Sequence, residues 1–301
     1  MKAIEITDLV KVYGDVIAVN GLDLSVTKGS ICGFLGENGA GKSTTLKILM
    51  GLAYPTQGSV EILGMNIKEH RLDIARRTGA VIETPGFIPY LTGKQILRQL
   101  SSLQGYIDKD EIDEILAIVG LSDAADKKTG TYSTGMKQRL GLGQALLDDP
   151  ELLLLDEPFS GMDIQGTFEV KSLLSDLNKR QGLTILLSSH RLRDIDRLCS
   201  DVVIIKDGSA LISGKVSDLL QARSTVTIEV SDAQLTSQIL SSNSVPHVAT
   251  DGNWLRLTMD GMTRNELVDI LNEASVSIYY LSENEMSLED LYLNQTIEVS
   301  T

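Results

Sequence analysis

Cysteine is scarce in this 301-residue chain, which has two, Cys32 and Cys199. That number excludes a disulfide framework, and Cys32 lies inside the apolar run "SICGFLG", which reads as a buried strand. A reducing, cytosolic setting is expected. Long hydrophobic runs are missing too. No window approaches the roughly 18 to 20 uninterrupted apolar residues that a membrane span needs, and "MKAIEITDLV" lacks the long apolar core of a signal peptide. The chain is expected to stay out of the bilayer. Lysine is absent from Ala222 onward, where three arginines face twelve acids, so the tail carries −9 of a net charge of −14. A surface of that sign cannot neutralise phosphates, which argues against nucleic acid as a partner. The plainer alternative is that the acids only solvate a small domain's outer face. What is present is 42% apolar residues, enough for a core without staples, in a length that suggests two domains.

The pattern along the chain divides at the same place as the charge. In residues 1 to 35, "AIEITDLVKVYG" and "AVNGLDLSVTKG" alternate apolar and polar, then "ICGFLG" is continuously apolar. This suggests an antiparallel edge beside a buried parallel sheet. From Thr92 to Leu147, "GKQILRQLSSLQ" and "DEIDEILAIVGL" place apolar residues at three- and four-residue spacing, which predicts helices and a helical subdomain over about 88–147. "LLLLDEP", a helix from about Gln165 to Arg180, "LTILLSSH", a helix near "RLRDIDRLC" and "DVVIIKDG" follow, the alternation of α/β units on a parallel sheet. After Ala222 the order is strand, helix, hairpin, helix, strand, the pattern of a small ferredoxin-like domain. The expected division is therefore residues 1–221 and an acidic α+β accessory domain, 222–301.

"GENGAGKST", Gly36 to Thr44, follows an apolar strand and opens a helix, so every fixed position of G-x-x-x-x-G-K-[ST] is filled in the context that motif requires. Gly36, Asn38, Gly39, Ala40 and Gly41 form a loop whose N–H groups can face a nucleotide's phosphates, and the new helix adds its positive end. Lys42 would reach the β- and γ-phosphates, Ser43 would give a hydroxyl to Mg2+, and Thr44 continues the cradle. "LLLLDEP" ends a second buried strand in two acids. Asp156 would sit near the metal, and Glu157 could polarise a water for attack on the γ-phosphate. Together these predict a nucleoside triphosphatase of the P-loop α/β fold.

"YSTGMKQRL", Tyr132 to Leu140, precedes the acidic strand by little more than one helix. Ser133 and the Gly135 N–H at its start form a second anion site. Here the chain resembles the ATP-binding cassette family, whose LSGGQ signature corresponds to Tyr132, Ser133, Thr134, Gly135 and Met136. Thr134 and Met136 depart from the usual glycine and glutamine without removing the hydroxyl or backbone donors. Glu37 stands where proline is frequent, with its side chain expected to point outward. The resemblance, covering about Lys2 to Ala222, implies that Tyr13 stacks on adenine and that "SGMD", Ser160 to Asp163, contacts an opposite subunit. It further implies that His190 orients the attacking water and γ-phosphate. His70 and His247 read as ordinary. The family likeness also implies a homodimer in which each ATP is clamped between one subunit's phosphate loop and the other's signature.

In "AVIETPGF", Glu83 occupies the place where this family ordinarily has a glutamine that touches Mg2+ and whose loop meets the membrane subunit. A carboxylate can ligate Mg2+ as well, while adding charge near the triphosphate. "IETPGF", "YSTGMKQRLG" and "SLEDLYL" together look like the bacitracin and lantibiotic self-protection branch. The expectation is an ATP-hydrolysing exporter subunit, cytoplasmic and held on the inner face of the membrane by a separately encoded permease. A general drug or lipid exporter cassette is the alternative. A soluble ATP-dependent clamp usually has two cassettes or a long arm, and the about 90 residues between Lys42 and Ser133 leave no room for one. A small-molecule kinase leaves Ser133 to Gly135, Asp163 and His190 unexplained.

Overall fold

The computed structural model describes residues 1–82, 85–103, 109–195, 198–221, 225–249, 252–259, 262–284 and 288. The chain forms two compact units, Met1–Ser213 and Gly214–Thr301. This division precedes the compositional change at Ala222, because charge records solvation and not packing.

The first unit opens with the long strands β1 (Lys2–Tyr13) and β2 (Val16–Thr27), then β3 (Ile31–Leu35) and α1 (Lys42–Leu49). β4 (Gln57–Ile62), β5 (Met65–Asn66), α2 (Arg71–Arg76) and β6 (Thr78–Val81) follow. Three helices come next, α3 (Gly93–Leu103), α4 (Lys109–Ile118) and α5 (Thr134–Ala145). β7 (Leu152–Leu155), α6 (Ile164–Gln181), β8 (Thr184–Ser189), α7 (Leu192–Ile195), β9 (Asp201–Lys206) and β10 (Ser209–Lys215) complete the alternation.

Among the described residues, β10-β9-β3-β8-β7-β6 form a six-stranded sheet. The pairs from β9 through β6 run parallel. Every residue of "ICGFL", "LLLL" and "TILLSS" is buried, as strands covered on both faces must be. The antiparallel strands form a sheet of their own, β2-β1-β4-β5. Both sheets and α1 contribute to one core: Leu46, Ile48 and Leu49 of α1 belong to it together with Ile4, Ile6 and Leu24 of the antiparallel sheet and Phe34, Leu154 and Leu186 of the parallel one. Cys32 on β3 and Cys199 before β9 are both buried, and burial pushes both thiols up from their ordinary value.

In the helical segment, Tyr132 is buried and its hydroxyl donates to the Ala124 carbonyl at 2.6 Å. Burial pushes this phenol up as well. A Cβ at Gly93 would come 2.4 Å from the Tyr132 oxygen, so the start of α3 must be side-chain-free for Tyr132 to seat the start of α5.

The second unit starts within the end of β10 and contains α8 (Val216–Gln221), β11 (Thr225–Val230), α9 (Ala233–Ser242), β12 (His247–Ala249), β13 (Trp254–Thr258), α10 (Arg264–Glu273) and β14 (Ile278–Asn284). The order β12-β13-β11-β14, with every pair antiparallel, is the ferredoxin-like arrangement. Ile228, Leu240, Leu257, Leu267 and Leu271 are fully buried in its core. Thr263 and Glu266 cap α10 reciprocally, and the hydrogen bonds from Thr263 hold the Glu266 carboxyl below its ordinary range. Thr263→Ala is expected to destabilise α10 by about 1 kcal/mol. Hydrogen exchange of the α10 amides in the full chain would register the loss as reduced protection, with no change in the first unit.

Candidate functional site

β3 ends at Leu35, and the chain turns through Gly36 to Gly41 before α1 begins. Gly41 has φ +104°, and a Cβ there would lie 2.5 Å from the Ala18 carbonyl oxygen. At Gly36 a Cβ would lie 2.5 Å from the Ile205 carbonyl oxygen. Side chains are excluded on both counts, so strands β2 and β9 hold the loop from its two sides. No side chain caps α1 at Gly41, which leaves the first N–H groups of the helix open to an anion.

Lys42 is only 6% exposed, and its Nζ donates to the carbonyls of Gly36 at 2.7 Å and Glu37 at 3.1 Å. It lies 3.9 Å from Glu157 Oε1. Burial holds its ammonium below the ordinary lysine value, and the charges of Glu157 and Asp156 offset part of that effect. A cleft of about 190 Å³ opens here, walled by Ala18, Glu157 and the loop residues Asn38, Gly39, Gly41, Lys42, Ser43 and Thr44. Gly36 and Ala40 are buried in the loop itself, and Glu37 is exposed.

The two acids enter from the head of β7. Asp156 is 2% exposed, its N–H donates to Val81 at 2.8 Å, and its Oδ1 accepts from the Ser188 hydroxyl at 2.5 Å. Glu157 has φ +49°, a left-handed backbone that turns it off the strand line. Its N–H donates to Ser188 Oγ at 3.0 Å, and its Oε1 is 2.9 Å from Nδ1 of His190, the residue after β8. Lys42, Asp156, Glu157 and His190 are thus joined by direct contacts and a shared serine. Sequence reading did not single out Ala18 or Ser188. Only the unusual Ser-Ser pair ending an apolar strand hinted at the latter.

Other candidates lie elsewhere. Ser133 caps α5, its Oγ accepting from the Met136 N–H at 3.2 Å. Ser133 and Thr134 are exposed, Gly135 and Met136 half-buried, and none of the four walls the cleft. A Cβ at Gly161 would sit 3.5 Å from Thr134 Cγ2, so the "SGMD" loop runs beside this helix start. Asp163 caps α6 by accepting from Gly166 N–H, and the following Ile164 is 91% exposed. Tyr13 stands half-exposed where β1 ends, with Lys11 Nζ 4.5 Å from its ring centroid, and does not wall the cleft. Glu83 lies outside the described residues.

This fold and this loop define a P-loop nucleotide-binding ATPase. Residues 19–160 match the ABC transporter family. The chain is 36% identical over 292 residues to the bacitracin transport ATP-binding protein BcrA of Enterococcus faecalis, covering 96% of this chain and 94% of that one. It is 38% identical over 294 residues, 96% of both chains, to the protein of the same description from Bacillus licheniformis. A solved dimer of an ATP-binding cassette in a post-hydrolysis state with ADP and Pi overlays with a TM-score of 0.64 at 26% identity, covering 71% of this chain and 98% of that one. The chain belongs to the ABC transporter family, as an ATP-binding, ATP-hydrolysing subunit.

Proposed function

We propose that this subunit powers a separately encoded membrane permease that exports a peptide antibiotic of the bacitracin or lantibiotic kind, working as a homodimer on the cytoplasmic face of the membrane. The observation that carries this reading is the extent of the similarity to the two bacitracin transport proteins, which takes in the acidic second unit as well as the cassette. Pairing is supported by the incomplete site: the cleft has the phosphate loop and Glu157 on its walls but none of Ser133 to Met136. A second copy can bring its exposed Ser133 and Thr134 to that cleft.

Within each half-site, Lys42 and the loop N–H groups bind the phosphates, and Glu157 takes the proton of the attacking water. His190, 2.9 Å from that carboxylate, keeps it aimed. Ser43 and Asp156 fit Mg2+: both present hard oxygen, and Ser188 occupies one oxygen of Asp156 while leaving the other. When bound, Mg2+ would neutralise charge on the β- and γ-oxygens. Tyr13 is the surface on which adenine would stack.

The test is to identify the neighbouring permease, co-express it and measure sensitivity to bacitracin. Cells with both proteins are expected to tolerate more of the peptide than cells lacking either, and both proteins should purify together from membranes. Equal sensitivity with an active ATPase would overturn bacitracin as the cargo.

A further inference from the structure

We infer that Ser188 is the positioning residue that sets both acids of the hydrolytic site, an inference that rests on the roles proposed above for Asp156 and Glu157. Ser188 is fully buried near the end of β8, and its hydroxyl makes two bonds of opposite sense. It donates to Asp156 Oδ1 at 2.5 Å and accepts from the Glu157 N–H at 3.0 Å. One hydroxyl can do both, since it carries one proton and two lone pairs.

Strand register makes this possible. β7 and β8 are parallel with Leu155 opposite Leu187, so the next residue on each strand brings Ser188 beside Asp156. The Asp156 N–H continues the sheet toward Val81, whereas the chain turns away at Glu157 with φ +49°. A residue with a Cβ holds such a backbone only where its surroundings fix it. Ser188 takes up the N–H that the turn releases from the sheet. That same turn carries the Glu157 side chain to 3.9 Å from Lys42 Nζ and 2.9 Å from His190 Nδ1. β8 therefore supplies the group that fixes the glutamate's backbone and, two residues later, the group that meets its side chain. The other bond limits rotation of the Asp156 carboxylate, so its second oxygen keeps one direction.

A merely structural serine would fill space between β7 and β8. Ser188→Cys keeps the size but offers poor hydrogen bonding, Ser188→Ala removes it, and Ser188→Thr restores it. The full-length variants are compared by hydrogen exchange at the Glu157 amide without nucleotide, by thermal unfolding, and by kcat and KM for ATP. Ala and Cys are expected to speed exchange at Glu157 and to lower kcat by about ten- to a hundredfold, with KM within about threefold of the parent. Thr is expected to bring both readouts back toward the parent. Parent-like exchange and kcat in Ala and Cys overturn the inference. Glu157→Gln run alongside separates the two levels: if it is inactive while Ser188→Ala is normal, Ser188 alone loses its role. If Glu157→Gln hydrolyses ATP normally, the reading beneath it fails.

Discussion

Glu157→Gln is expected to lower kcat for ATP hydrolysis by about 10² to 10⁴-fold while leaving ATP binding intact. The amide keeps the size of the carboxylate and can still face His190, but it cannot take a proton from water. It also removes a negative charge 3.9 Å from Lys42 Nζ, in a cleft that must receive a polyanion, so ATP should bind at least as tightly. With hydrolysis blocked, the γ-phosphate persists, and the variant should elute as a dimer with ATP and as a monomer without it. Gel filtration with and without nucleotide, beside a phosphate-release assay, gives both readouts. A parent-like rate would move the base to another residue; a monomer in saturating ATP would remove the shared site.

Lys42→Met should cost the cleft most of its affinity. Truncating one partner of a buried, hydrogen-bonded charge pair costs about 2 to 5 kcal/mol, which is about 1.5 to 3.5 decades in Kd. Titration with ATP measures it directly. The same residue gives a pH signature without nucleotide. The folded protein lowers Lys42 below the ordinary value of 10.5, chiefly by burial, so between the two values the unfolded chain holds a proton that the fold has released. Stability of the parent therefore rises with pH across that window, whereas Lys42→Met has no such proton. The gap in melting temperature between parent and variant should shift in the parent's favour as pH approaches about 10. A gap independent of pH would mean that Lys42 is solvated in the native state.

Where chemistry is local, the sequence points to residues that the structure brings together; where it depends on the approach of distant segments, the sequence is silent. "GENGAGKST", "LLLLDEP" and "LLSSH" each end a buried strand, and an apolar run followed abruptly by glycine, acid or histidine is visible in one dimension. That β3, β8 and β7 then lie side by side, delivering those three ends to one edge, follows from parallel α/β alternation. Ala18 could not be found this way. It matters because its carbonyl passes over Gly41, and nothing in a small residue on an alternating strand announces that. Ser188 is legible only once the register of β7 on β8 is known. In the fold, "QGSVEI" and "RLDIAR" are short, the second exposed apart from Ile74, and too brief for periodicity to speak, so β4 and α2 come from the structure. The separate antiparallel sheet was also hidden, because alternation tells which face is buried but not which strands share hydrogen bonds. The ferredoxin-like part of the second unit, β11 to β14 with α9 and α10, was readable because each of these elements has a full period.

The two sulfurs sealed inside the first unit leave this chain without a reactive thiol of its own. Cys32 and Cys199 are shielded from reagents, and burial keeps them protonated. A cysteine introduced by Thr134→Cys, at an exposed position, would then be the single handle for maleimide dyes or spin labels. Encounters between copies could be followed by dipolar distance or oxidative cross-linking, with every native residue other than the labelled threonine in place.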